Sequence, residues 1–194
     1  MYLVRHNRLK APYNDYTKLN LQQLDDLAID RISPDIQPMD SNFIIEEFSS
    51  IIESVDHVYS SNSKRAQQTC SSVLSTCSKS IEVKIEPLLK EIYFSPIALL
   101  GHDHKKNPLQ SIRDHLYSAI KQRRNGVENY ESLKKRVEQI IEHFLNKDVL
   151  CFSHGFLIRL LISYQKNNFN FDDALDNIKD IAPVDYLDLI ELSA

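Results

Sequence analysis

Tyr2-Leu3-Val4-Arg5-His6 opens the chain, and Val149-Leu150-Cys151-Phe152-Ser153-His154-Gly155 repeats its shape far downstream. Each begins as a short apolar, partly β-branched run, the pattern of a buried strand, and each delivers a histidine at its end. A helical pattern follows the second at once. In an open α/β sheet, ligands bind beyond the C-terminal ends of the strands. A lone histidine at such a place is usually a structural residue. Two of them, one flanked by Arg5 and one opening a helix, point to chemistry.

Working outward, His57-Val58-Tyr59 reads as a strand entering Ser60-Ser61-Asn62-Ser63, a polar turn with N-cap character. The helix after it is expected to bury Ala66, Cys70, Val73, Leu74 and Cys77, which puts Lys64 and Arg65 in its first turn. The macrodipole disfavours cations there, so Arg65 is either a solvated surface charge or part of an anion site that also uses the helix N–H groups. Ile81 to Ile85 alternates as a strand should, and Glu91 follows soon after, close to Leu89 and Ile92. It is either an exposed charge or a carboxyl whose surroundings raise its pKa toward acid catalysis. Asn20 and Gln23 resemble a capping box before a helix facing inward with Leu21, Leu24, Leu27 and Ala28. A second helix from about Asp40 carries Ile44, Ile45, Phe48, Ile51 and Ile52. Between Glu91 and His154 two helices are expected, striped by Leu109, Ile112, Leu116 and Ile120 and by Leu133, Val137, Ile140, Ile141, Phe144 and Leu145. The basic turn Arg123-Arg124-Asn125-Gly126 joins them. A short helix over Asp172 to Asn177 and a last strand over Asp185 to Leu192 complete the pattern.

The 194 residues fit a single domain with a sizeable core. A net charge of -4 argues against a general nucleic-acid binder. Cys70, Cys77 and Cys151 form no Cys-x-x-Cys pair, and the first two would stand about 10 Å apart on a helix, too far for a disulfide. This composition is that of a reduced, cytoplasmic protein. No signal-peptide core precedes Arg5, and no apolar run approaches the roughly 20 residues of a membrane span. Three glycines in the whole chain argue against a Gly-rich phosphate loop. His102-Asp103-His104 invites a metal reading, but no third ligand accompanies it, and the tract reads as a polar loop.

The strand-end candidates are therefore Arg5, His6, Arg65, Glu91 and His154. Neighbouring strands would bring them to one rim. Guanidinium forks match phosphate oxygens and stabilise transition-state charge, and a neutral histidine is a nucleophile, so this set suits phosphoryl transfer without a metal.

These residues also resemble a known family. Leu3-Val4-Arg5-His6 is similar to the Arg-His signature of the histidine phosphatase superfamily, the phosphoglycerate mutase-like group, in its phosphatase branch. Residues Tyr59 to Thr69 resemble its Ser-Ser-x-x-x-Arg-Ala-x-x-Thr segment. Leu89-Lys90-Glu91-Ile92 resembles its proton-donor segment, Glu131-Ser132 with Arg136 its penultimate helix, and Ser153-His154-Gly155 with Arg159 its second histidine motif. The resemblance implies a three-layer α/β/α sandwich with a mostly parallel central sheet. It implies one domain over 1–194, with 93–147 as a helical lid or insertion. It implies His6 as nucleophile forming a phosphohistidine, Arg5, Arg65 and His154 around the phosphoryl oxygens, and Glu91 as proton donor. No metal or other cofactor is implied. Asn7, Asn62, Arg123 and Arg124 are further candidate substrate contacts.

This sequence departs from the family at Asn7, where glycine is usual, and at Arg8 and Leu9, which replace acidic and hydroxyl residues. The Asn7 side chain is expected to need room near the phosphate. Phosphate-monoester hydrolysis is the first expectation, because the segment from Glu91 to His154 is short for a phosphoglycerate mutase. His102, His104, Lys105, Arg113, Arg123 and Arg124 would form a basic lid for polyanionic substrates. Mutase-type transfer is the alternative, as is a phospho-ligand binding protein impaired in turnover by Asn7 and Arg8. A cysteine phosphatase using Cys151 and Arg159 is set aside, since their spacing does not fit a six-position phosphate loop. The substrate stays open between a small phosphorylated compound and a phosphoprotein.

Overall fold

Val149–Ser153 (β4) is buried at every position and forms the middle strand of the sheet. In a computed structural model that describes residues 1–101 and 108–193, it lies between β1 (Tyr2–Arg5) and β2 (His57–Ser60), both parallel to it. β3 (Val83–Ile85) extends the sheet beside β2, and β5 (Leu189–Glu191) closes the other edge antiparallel to β1. The order β3-β2-β4-β1-β5 thus sets the C-terminal ends of the parallel strands side by side. The rim expected from sequence exists.

The pleat sorts the apolar side chains onto two faces. Val4, Val58, Leu150 and Phe152 pack against α2 (Ser41–Ser54) and α3 (Lys64–Leu74), with Phe48, Ile52 and Val73 fully buried. Leu3, Val149 and Cys151 face the opposite layer, which includes α6 (Tyr130–Phe144) and α7 (Gly155–Lys166). Each large side chain so buried contributes about 1.5–3 kcal/mol. The result is a three-layer α/β/α sandwich. Further helices, α1 (Leu21–Ala28), α4 (Pro96–Leu100), α5 (Pro108–Lys121) and α8 (Phe171–Asp176), complete the second layer and one wall above the rim. Among the described residues no helix is long and apolar enough to cross a membrane.

Local signals account for several boundaries. Asn20 and Gln23 form the full capping box, and Asp40 and Ser63 cap α2 and α3. Elsewhere the structure corrects the sequence reading. Ser95 caps a third helix, α4, between Glu91 and His154, with Pro96 in its first turn. α3 ends at Leu74, so Cys77 lies beyond it and is only half-buried. The last strand is three residues long, because Asp185–Asp188 folds into a turn in which the Asp185 N–H donates to Asp188 and Leu187 takes a φ of 64°. His102, His104 and Lys105 lie outside the described residues.

Candidate active site

β1 ends by exposing His6 to the rim, where it is 3% exposed. Its Nδ1 stands 2.8 Å from the Asn7 carbonyl oxygen. A carbonyl only accepts, so Nδ1 carries the proton and Nε2 holds a free lone pair. Burial first, then the positive charges of Arg65 and Arg5, pull the His6 pKa well below the ordinary histidine value. The neutral, nucleophilic form is favoured.

His154 follows β4 and is fully buried, its ring centroid 5.2 Å from that of His6. Its Nε2 meets the hydroxyls of Ser61 at 2.9 Å and Ser63 at 3.2 Å. Each of those hydroxyl oxygens also accepts a backbone N–H, from Ser63 and Ala66 respectively, and either hydroxyl can give its proton to Nε2. With Nε2 accepting, Nδ1 carries the hydrogen, and among the described residues it has no partner. Burial and the neighbouring Arg65, His6 and Arg5 lower the His154 pKa as well.

Among the described residues, the buried side-chain polar atoms without a partner are Arg5 Nε, Arg65 Nε and His154 Nδ1. All three are donors, and all belong to side chains around His6. Buried donors are ordinarily satisfied, so three unfilled ones in one place mark where an acceptor-rich ligand sits. The charge agrees. Among the described residues Arg65 has one ion-pair partner, the largely exposed Asp30 at 3.3 Å, and Arg5 has none. Arg5 instead donates to the Val184 carbonyl and lies 4.0 Å over the Tyr186 ring. This arrangement suits an anion.

Glu91 closes the site from the β3 side. Its Oε1 accepts the Ile92 and Leu157 N–H groups, each at 3.0 Å, and its Oε2 accepts the Phe156 N–H at 3.2 Å. These bonds at the start of α7 favour the carboxylate, but burial outweighs them and the Glu91 pKa is raised. The segment before it is fixed by Arg136, which donates from Nη1 to the carbonyls of Leu88 at 2.8 Å and Lys90 at 2.7 Å. Arg136 also forks onto Glu128 at 2.9 and 2.8 Å, and both side chains are nearly buried. Arg136→Ala is expected to cost about 3–5 kcal/mol, because it strands a buried carboxylate and two carbonyls. Urea unfolding measures it; a loss under 1 kcal/mol would contradict the burial argument.

Gly155 lets the Arg5 guanidinium pack against the start of α7. A Cβ there would stand 3.0 Å from Arg5 Nε and 3.1 Å from Cζ, so the guanidinium would have to shift. Gly155→Ala should weaken vanadate binding about tenfold with the fold retained, the scale expected of a small misplacement at a charged centre. Titration by calorimetry checks this, and unchanged affinity would show that the Arg5 position is not needed.

Asn7 does not crowd the site. Its φ is not among the positive ones, its Nδ2 donates to the Gln37 carbonyl at 3.1 Å and its Oδ1 accepts the Arg8 N–H at 2.7 Å. The expectation that its side chain must find room near the phosphate is corrected: those bonds turn it into the loop. The Asn7 N–H donates to the Thr69 hydroxyl at 2.9 Å, which ties the exit of β1 to α3.

A cavity of about 510 Å³ opens over Arg5, His6, Arg65 and Glu91. Asn62, Arg123 and Arg124 are not on its lining. Asn62 is exposed, Arg123 pairs with Glu131 at 2.8 Å and Arg124 donates to the Leu99 carbonyl at 3.3 Å. Arg113 does line it, alone of the described basic-lid residues. Burial, Arg5 and Arg159 depress the Arg113 pKa. Tyr16 and Tyr186 also reach the cavity and were not singled out from sequence. Their rings meet at 6.4 Å and Tyr186 lies 5.8 Å from His6. Tyr13 and Tyr16 stand close together in a polar stretch before Asn20, which was a signal for Tyr16; for Tyr186, expected within a strand, there was none.

A family model described as the histidine phosphatase superfamily (branch 1) matches residues 45–174. No curated protein matches the chain by sequence. Among solved structures, a candidate α-ribazole-5′-P phosphatase of Escherichia coli K-12 superposes with a TM-score of 0.56 at 18% identity, covering 100% of this chain and 95% of that one. A mycobacterial glucosyl-3-phosphoglycerate phosphatase gives 0.59 at 13% identity, with 97% and 87% covered. A phosphoserine phosphatase of Entamoeba histolytica, in complex with 3-phosphoglyceric acid, gives 0.56 at 17%, with 97% and 87% covered. At such identities the likeness is one of fold.

Proposed function

The chain belongs to the histidine phosphatase superfamily, and from that premise we propose that it hydrolyses a phosphate monoester through a phosphohistidine on His6. The observation that carries this reading is the set of three unpartnered buried donors, Arg5 Nε, Arg65 Nε and His154 Nδ1, around a histidine whose Nε2 is free. Nε2 attacks phosphorus while the bond to the leaving oxygen breaks, and the guanidinium groups and His154 hold the phosphoryl oxygens. Glu91 gives its proton to the leaving oxygen. It then takes a proton from water as that water displaces the histidine and releases inorganic phosphate. No metal takes part in these steps.

In this reading 1–194 works as one domain, and the 93–147 segment supplies a wall of the cavity through Phe94, Ile112 and Arg113. Phosphate release from p-nitrophenyl phosphate in excess chelator tests the proposal. Turnover supports it. A folded protein that binds phosphate or vanadate without turnover is instead a phospho-ligand binding protein.

A further inference from the structure

The cavity has two unlike ends. One holds Arg5, His6, Arg65 and Glu91; from Glu91 onward one stretch of the wall is hydrocarbon, while Arg8, Asn14, Arg113 and Tyr186 are among the polar residues that line the rest. Phe156, whose N–H binds the Glu91 carboxylate, packs edge-on against Phe94 with ring centroids 5.3 Å apart. Leu24 and Leu27 of α1 and Ile112 of α5 continue this surface. None of these five side chains carries a hydrogen-bonding group. Of the polar residues that also line the cavity, Asp15 accepts from the Thr17 N–H and hydroxyl and pairs with Lys18 at 3.1 Å, Arg159 donates to the carbonyls of Ile181 and Ile178, and Arg5 and Arg8 lie over the Tyr186 ring. The hydroxyls of a sugar or glycerate would lose water against this wall and find few partners. A hydrocarbon chain would lose nothing.

We infer that the preferred substrates are phosphate monoesters of apolar alcohols, with the hydrocarbon part lying from Phe94 and Phe156 toward Leu24 and Ile112. This rests on the phosphatase reading for the placement of the phosphoryl group. The leaving oxygen meets Glu91, and the carbon attached to it then meets the phenylalanine pair. A volume of about 510 Å³ lies within the usual range of small-molecule sites, so a chain of six to eight carbons is accommodated beside the phosphate.

The test uses binding as well as turnover, so that the two proposals fail separately. The probes are n-alkylphosphonates from ethyl to octyl, which cannot be hydrolysed, titrated into the whole protein by calorimetry. Affinity is expected to rise about fourfold per methylene, the equivalent of about 0.8 kcal/mol per buried CH₂. The heat capacity of binding should grow more negative with length. Affinity independent of chain length overturns the inference, as does failure of every phosphonate to bind. So does tighter binding of 2-carboxyethylphosphonate than of hexylphosphonate, which would make Arg113 and Arg8 a second anion site. Leu24→Asn should flatten the chain-length dependence, with retained phosphate binding showing that the variant is folded; an unaltered slope would count against the wall. Hydrolysis of hexyl phosphate is measured in parallel. Tight hexylphosphonate binding without that hydrolysis would retain the apolar site and reject the phosphatase reading.

Discussion

His6→Ala is expected to lower phosphate-ester hydrolysis by roughly 10⁴-fold or more, the loss seen when the nucleophile of a covalent mechanism is removed. The argument starts from a proton. Because the Asn7 carbonyl fixes hydrogen on Nδ1, Nε2 is the one imidazole nitrogen able to attack, and alanine supplies no substitute. Arg5, Arg65 and His154 remain in the variant, so it should still bind vanadate. Wild-type protein quenched during turnover should carry acid-labile phosphate, and His6→Ala none. Full activity in the variant would mean that water attacks phosphorus directly or that another residue is the nucleophile.

Glu91→Gln has the next largest expected effect, about 10²–10⁴-fold on alkyl phosphates, whose alkoxide leaves poorly without a proton. On p-nitrophenyl phosphate the loss should be much smaller, since that phenolate leaves unaided. The pH profile gives an independent readout. His6 must be neutral, and its lowered pKa keeps it so well into the acid range. Glu91 must hold its proton, and its raised pKa extends that form upward from the ordinary carboxylic-acid range. Activity therefore falls on the acid side as His6 protonates and on the alkaline side as Glu91 ionises. The optimum of kcat/KM should lie between these two titrations, and Glu91→Gln should remove the alkaline limb. An equal loss on both esters, or an intact alkaline limb, would take the proton-donor role from Glu91.

Much of this molecule is local in origin. Apolar runs of strand length, Asn20 with Gln23, Asp40 and Ser63 specify their elements through interactions within a few residues, and those are readable in order along the chain. The alternation of β1 and β4 also foretells which side chains face each helical layer. Arg5, His6, Arg65, Glu91 and His154 were legible because each stands at the end of a strand, a few residues past it or in the helix it leads to. Tyr186 was not, because its place depends on Arg5 lying over its ring and on Leu187 bonding the Arg5 carbonyl across the sheet edge. Asn7 was misjudged from the family's usual glycine at its position, since its direction is set by the Gln37 carbonyl thirty residues away.

By itself, then, the sequence determined the four parallel strands, the caps of α1 and α3 and the five residues carried to the rim, because these follow from side-chain period and short-range hydrogen bonding. Tertiary structure alone decided the tautomer of His6, the unfilled donors, the Arg136 fork behind Glu91 and the apolar wall beyond it. Each of these depends on groups far apart in sequence losing water together, and that desolvation exists only once the layers have packed.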